Sequence, residues 1–123
     1  MKDYLHKERT TDLGVVRINN EAIMTIASIA ALEVRGVSRM GGGLRRALYD
    51  SIFRGPSSGG VRINMKESEI KLTVSIIVEY GVAVPRVADE VQESVKRAVE
   101  KMTGLVLAEV DVIVEGVKAA GQR

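Results

Sequence analysis

The sequence predicts an α+β domain in two layers: a mainly antiparallel sheet, two main helices on one of its faces, and a mobile short helix inserted. Three stretches carry that expectation. From Tyr80 to Val117 the apolar period changes once, from about 3.6 to 2, as a helix followed by a strand requires. From Ile70 to Tyr80 apolar and polar residues alternate, the pattern of a strand with one wet face. From Glu21 to Arg35 apolar residues occupy most of a helical circumference, so that helix has to be covered on more than half its surface.

Length and composition set the frame. One hundred and twenty-three residues suit one domain, and 46% hydrophobic content supplies a single core. Aromatics at 3% make that core aliphatic. A formal charge of +2 is too small to indicate nucleic acid by itself. The absence of cysteine excludes disulfides, thiolate metal sites and cysteine catalysis, and is compatible with a reducing cytoplasm. MKDYLHKERTTD at the N-terminus lacks the apolar core of a signal peptide. The longest apolar-rich run, Ala22 to Leu32, falls short of the ~20 residues that span a bilayer. A soluble, cytoplasmic chain is the expectation.

In chain order, residues 1–12 read as a loose polar arm and 13–118 as the domain, with 119–123 a short tail. Gly14 to Ile18 reads as a short strand with Val16 and Ile18 inward. Asn19 or Asn20 caps a helix to about Arg35, which Gly36 stops. Its polar face is narrow, and Ala27, Ala30 and Ala31 permit close approach, so it is sandwiched between the sheet and a second helix or subunit. Val37 to Met40 is a further short strand. Glycines on both sides then isolate Leu44 to Phe53 as a short amphipathic helix, within a glycine-hinged basic segment covering 41–60. Val61 to Met65 and Ile70 to Tyr80 form a hairpin around Lys66–Glu69.

The second main helix is the best specified. Val84, Val87, Ala88, Val91, Val95, Ala98 and Met102 form its apolar stripe. Pro85 suits the first turn, and Gly104 suits a left-handed stop. In the strand that follows, Val106, Ala108, Val110, Val112 and Val114 alternate with Leu107, Glu109, Asp111, Ile113 and Glu115.

YGVAVPRVADEVQESVKRAVEKMTGLVLAEVDVIVEGV (Tyr80–Val117) resembles the C-terminal signature of the alkaline shock protein family, the envelope stress response proteins of Gram-positive and related bacteria. GVVRINNEAIMTIASIAALEVRGV (Gly14–Val37) is similar to the same family's N-terminal half. The two stretches cover about half the chain and consist of core residues and turn glycines. The resemblance implies a role in cell-envelope homeostasis or stress response. It also implies a way to the membrane, since some such relatives collect there by binding a membrane-embedded partner. The short tails depart from longer, acidic or glycine-rich relatives, so no function located in such tails carries over.

Candidate chemistry is sparse. His6 is the single histidine and lies in the polar arm. Thr10, Thr11, Ser38, Ser51 and Ser94 have no base that spacing nominates. Glu109, Asp111 and Glu115 share one face and could suggest a hard cation, but facing water or pairing with Lys71 explains them better. GPSSGG (Gly55–Gly60) lacks the Lys-Ser/Thr of a phosphate-binding loop and the clamp of KH domains, and reads as a linker. No catalytic residue, metal site or cofactor is expected.

The basic segment stands out. Between Arg39 and Arg62 lie five arginines (39, 45, 46, 54 and 62) against Asp50, a net +4, together with Tyr49 and Phe53. Arg39, Leu44, Arg45, Arg46, Leu48, Ile52 and Arg54 are the candidate partner-binding residues. An anionic lipid surface, an acidic protein and nucleic acid all fit, beside the plain reading of a solvated loop with a satellite helix. Ile77, Leu107 and Ile113 occupy positions where alternation calls for polar residues, and form a candidate oligomer interface. The expected function is a non-catalytic interaction or scaffold module of envelope stress, acting through protein partners at the inner face of the membrane and self-associating. A small RNA-binding module using residues 39–62 is the runner-up, and an enzyme comes third.

Overall fold

The structure, a computed structural model, describes residues 8–42 and 57–119. Two strands, β1 (Glu8–Thr11) and β2 (Gly14–Arg17), form a separate antiparallel hairpin. Helix α1 (Asn20–Leu32) and strand β3 (Val37–Met40) follow. Beyond residues 43–56 come β4 (Ser57–Ser58), β5 (Val61–Lys66), β6 (Glu69–Glu79), helix α2 (Val84–Thr103) and β7 (Leu107–Lys118).

Strand β6 organises the main sheet. On one side it pairs in parallel with β7 along nearly its whole length. On the other side it pairs antiparallel with β5 over Glu69–Val74 and with β3 over Ile76–Val78, so β5 and β3 share one edge of β6, end to end. Strand β4 adds to the far side of β5. The antiparallel sheet expected from sequence is therefore joined by one long parallel pairing, made possible because α2 carries the chain back across the sheet.

Both helices pack on one face. Ile70, Leu72, Val74, Ile76 and Val78 of β6 are buried beneath them with Val61 and Ile63 of β5. Helix α1 contributes Ile23, Met24, Ala27, Ala30 and Ala31, and α2 contributes Val87, Val91, Val95 and Val99. The four-residue steps of that valine row make a ridge of the kind that packs into a neighbouring groove. Val99 rather than Met102 closes the stripe, and Met102 is 69% exposed in the last turn. Pro85 stands in the first turn, and Gly104 ends the helix at φ 77 with its N–H donating to Glu100 O at 2.9 Å. Small residues let the helices touch: Ser94 Oγ donates to Ala30 O at 2.9 Å.

Several boundaries differ from the sequence reading. Helix α1 ends at Leu32, not Arg35, and the turn is finished by Gly36 at φ 105. A Cβ on Gly36 would lie 2.8 Å from Val87 Cγ2, so only glycine lets the chain pass α2 here. Strand β2 does not join the sheet, and Val15 and Val16 stay exposed, while Ile18 does pack on the core. Residues Glu8–Thr11 of the expected loose arm are β1, because Thr11 closes a tight turn. Its Oγ1 accepts from Leu13 N–H at 3.1 Å and donates to Gly14 O at 3.2 Å. The β5–β6 hairpin turns at Glu67 and Ser68, both with positive φ.

Candidate partner-binding surface

The sheet face opposite the helices carries Arg62, Asn64, Lys71, Thr73, Ser75, Ile77, Glu109, Asp111 and Ile113, by register and alternation. Its centre is Ser75, where β5 stops and β3 starts. Ser75 N–H donates to Gly60 O at 2.8 Å, and Gly41 N–H donates to Ser75 O at 2.8 Å. The two ends of the basic segment are thus fastened to one residue. They are also close to each other, since a Cβ on Gly42 would lie 3.9 Å from Gly60 Cα. Ser28 Oγ of α1 holds the return side by donating to Gly59 O at 3.1 Å.

Glu115 reaches this neck from the opposite edge of β6. Val114 faces Ile76 and Gly116 faces Ile77, so Glu115 is an extra residue in β7, a bulge that re-aims its side chain. Its Oε1 accepts from Gly42 N–H at 2.8 Å. The glycines make room for it: a Cβ on Gly41 would stand 2.6 Å from Oε1. Ser75, on a face where its strand neighbours are half exposed, is 8% exposed.

A second bulge corrects the expected interface. Ile70 faces Leu107 while Lys71 faces Glu109, so Ala108 has no opposite number and strict alternation breaks there. Leu107 turns into the core with Val110 and is 3% exposed. It therefore cannot belong to a surface patch. The bulged end is bound to α2. Leu107 N–H donates to Glu100 Oε2 at 2.8 Å, and Lys96 Nζ donates to Glu100 Oε2 at 2.7 Å and to Leu107 O at 3.3 Å. Gln92 Nε2 donates to Val110 O at 2.9 Å, further along the same edge. The Lys96 ammonium first, and the Leu107 amide second, hold the Glu100 carboxyl below its ordinary range.

Ile77 and Ile113 do share the outer face, both half-buried, on β6 and β7. Ile77 leans over Gly116, where a Cβ would lie 3.4 Å from its Cδ1. Arg39 is exposed on β3 opposite Ile77. Leu44, Arg45, Arg46, Leu48, Ile52 and Arg54 lie outside the described residues, as does His6. The three acidic residues of β7 diverge: Glu109 meets Lys71 at 3.0 Å, Asp111 is exposed, and Glu115 crosses to Gly42. The hydrogen bond to Glu109 raises the Lys71 pKa above its ordinary value. Among the described residues no group of three His, Cys, Asp or Glu is placed to hold a metal, and no helix is long and apolar enough to cross a membrane.

Sequence reasoning picked out the glycines at either end of the basic segment but not the residues that fasten them. Ser28 and Ser75 look like ordinary solvent-facing positions, and the role of Glu115 depends on a one-residue bulge that alternation does not encode.

Comparison with known proteins finds relatives over most of the chain. YqhY of Bacillus subtilis (strain 168), an uncharacterized protein, is 33% identical over 108 residues, covering 88% of this chain and 80% of its own. A stress response regulator gls24 homolog of Streptococcus pyogenes serotype M3 is 27% identical over 110 residues, covering 89% of this chain and 62% of its own. A solved MamM CTD chain aligns with a TM-score of 0.48 at 20% identity, over 80% of this chain and 98% of its own, too loosely to carry an argument. The family model for alkaline shock protein 23, described as having a cell envelope-related function, matches residues 8–119. With every described residue inside that match, the chain belongs to the alkaline shock protein 23 family.

Proposed function

We propose that the protein is a non-catalytic interaction module of the envelope stress response, recruited to the inner face of the membrane through its basic segment. One observation supports this above the others. The two ends of the segment, Gly42 and Gly60, are held side by side where Gly60 O and Gly41 N–H bond the backbone of Ser75. A net +4 between Arg39 and Arg62 therefore belongs to a stretch whose two ends meet at one strand residue. Leu44, Leu48 and Ile52 supply apolar contact, and Arg39, Arg45, Arg46 and Arg54 supply attraction to an anionic surface around a membrane-embedded protein partner. Basic residues near such a surface contribute about 1 kcal/mol each, enough together for reversible recruitment and too little for anchoring. The family's envelope-related description and the stress-regulator relatives support the envelope-stress part of this reading.

Self-association is part of the same proposal, with Ile77 and Ile113 as the interface residues that remain on the surface. Co-sedimentation of the full chain with anionic and neutral vesicles, beside a pulldown from membranes, tests the recruitment. Anionic vesicles retaining the protein, or one membrane protein captured, supports it; retention by neither contradicts it. RNA binding would instead show as a steep fall in affinity with salt, because each neutralised phosphate releases counterion.

A further inference from the structure

Resting on the self-association reading above, we propose that a second copy of this chain pairs antiparallel with the free edge of β7, about a two-fold axis near Glu115, so that two sheets join into one. Among the described residues β7 has β6 on one side and no strand on the other. An unpaired strand edge is a template for another chain, and folds usually cover it. Here the cover is partial. Side chains of α2 take the start of the edge: Gln92 Nε2 donates to Val110 O, Lys96 Nζ donates to Leu107 O, and Glu100 Oε2 accepts from Leu107 N–H. The helix then crosses the sheet, and its Val87 packs at Gly36, on the far side of β6. Burial along the inner face of β7 falls accordingly: Leu107 and Val110 are buried, Val112 and Val114 half-buried, and Val117 exposed.

One register fits this open half to its own copy. Gln92 holds the Val110 carbonyl at the edge, so the two-residue period sends the backbone groups of Val112 the same way. Past the bulge at Glu115, the Lys118 carbonyl accepts from Tyr80 N–H at the end of β6, so those of Val117 point to the edge. Val112 and the partner's Val117 then exchange backbone hydrogen bonds, and both present their side chains on the inner face. The extra residue in one strand is matched by the same extra residue in the other, so the register closes. Asp111 comes opposite the partner's Lys118 on the outer face, and symmetry makes that ion pair twice. Ile113 comes opposite the partner's Gly116, over which the partner's Ile77 leans. This complementarity of charge and shape selects a second copy as the occupant.

The chain holds no cysteine, so introduced thiols report without background. In the paired edges, positions 111 and 118 form a non-hydrogen-bonded pair with Cα atoms about 4.5 Å apart, within disulfide reach. Within one chain they lie about 20 Å apart along the strand. Asp111→Cys with Lys118→Cys should therefore give a covalent dimer under mild oxidation, read by non-reducing electrophoresis, and either change alone should give almost none. Asp111→Lys and Lys118→Asp should each weaken dimerisation about tenfold in sedimentation, and an equal mixture of the two should recover it. Circular dichroism on each variant confirms that the fold is kept. Equal cross-linking by the single and double variants, or a mixture that stays dissociated, overturns the edge pairing. If the double variant stays uncross-linked while Ile77→Lys with Ile113→Lys still dissociates an oligomer, this inference fails and self-association stands. A native chain that is monomeric at every concentration removes both.

Discussion

Glu115 Oε1 accepts a 2.8 Å hydrogen bond from the Gly42 amide, joining the last strand of the fold to the start of its basic segment across the strand between them. Core packing does not require this contact, since the alternating inner residues of β6 and the valine row of α2 already fill the layer beneath. What the contact adds is a fixed position for Gly42, the last described residue before 43–56.

The buried row of α2 gives a stability test. Val99 is fully buried and Met102 is exposed. Val99→Ala should cost about 2 kcal/mol, through lost burial and an incompletely filled cavity. Met102→Ala should stay within about 0.5 kcal/mol. Urea unfolding of both variants makes the comparison, and equal costs would mean that the stripe runs through Met102 after all.

The β5–β6 turn carries avoidable strain. Glu67 and Ser68 both hold positive φ in a two-residue connection between Lys66 and Glu69, where Asn-Gly is the favoured pair. Glu67→Asn with Ser68→Gly should stabilise the protein by about 1 kcal/mol. Thermal denaturation reads the gain, and a lower melting temperature would show that the native side chains contribute more than the strain costs.

Titration of the α2–β7 latch has a definite sign. Glu100 has its folded pKa lowered from 4.5 by Lys96 and the Leu107 amide. Its contribution is therefore present above about 4.5 and is lost as pH falls through the lowered folded value. Glu100→Gln should flatten the acid limb of stability in that window. Lys71 has its folded pKa raised from 10.5, so the part it contributes with Glu109 holds below 10.5 and fades as pH rises above it. Lys71→Met should flatten only the alkaline limb. Urea midpoints against pH would show the two limbs exchanged if the assignment were wrong.

Much of this was legible in the sequence because it depends on period. Pro85, the valine spacing and Gly104 specify α2 almost residue by residue, and the alternation of Ile70–Val78 specifies which face of β6 is dry. Bulges are not periodic. The single extra residue at Ala108 reverses the side on which Leu107 lies, and the one at Glu115 turns a surface acid toward the neck. Strand β1 escaped notice for a related reason: Glu-Arg-Thr-Thr has no apolar alternation, and its pairing depends on the Thr11 turn. The parallel pairing of β6 with β7 is implied by strand, helix, strand order, yet a mainly antiparallel sheet does not announce it.

The bulge at Ala108 separates two sets of substitutions. Leu107→Lys should destabilise the fold by several kcal/mol, because it places an unpaired charge where the native residue is 3% exposed. Ile77→Lys with Ile113→Lys should keep the circular dichroism spectrum and shift any oligomer toward monomer. Sedimentation velocity provides the readout, and an unchanged profile would remove the outer sheet face as the self-association surface.

The central claim is that the basic segment, displayed from the Ser75 neck, recruits the protein to an anionic surface. Changing Arg45, Arg46 and Arg54 to Glu in the full chain and measuring binding to phosphatidylglycerol-containing vesicles tests it directly. The account predicts that binding falls by at least about tenfold, as several contributions near 1 kcal/mol each are reversed, while the melting temperature barely moves. Undiminished binding by the charge-reversed protein would contradict it.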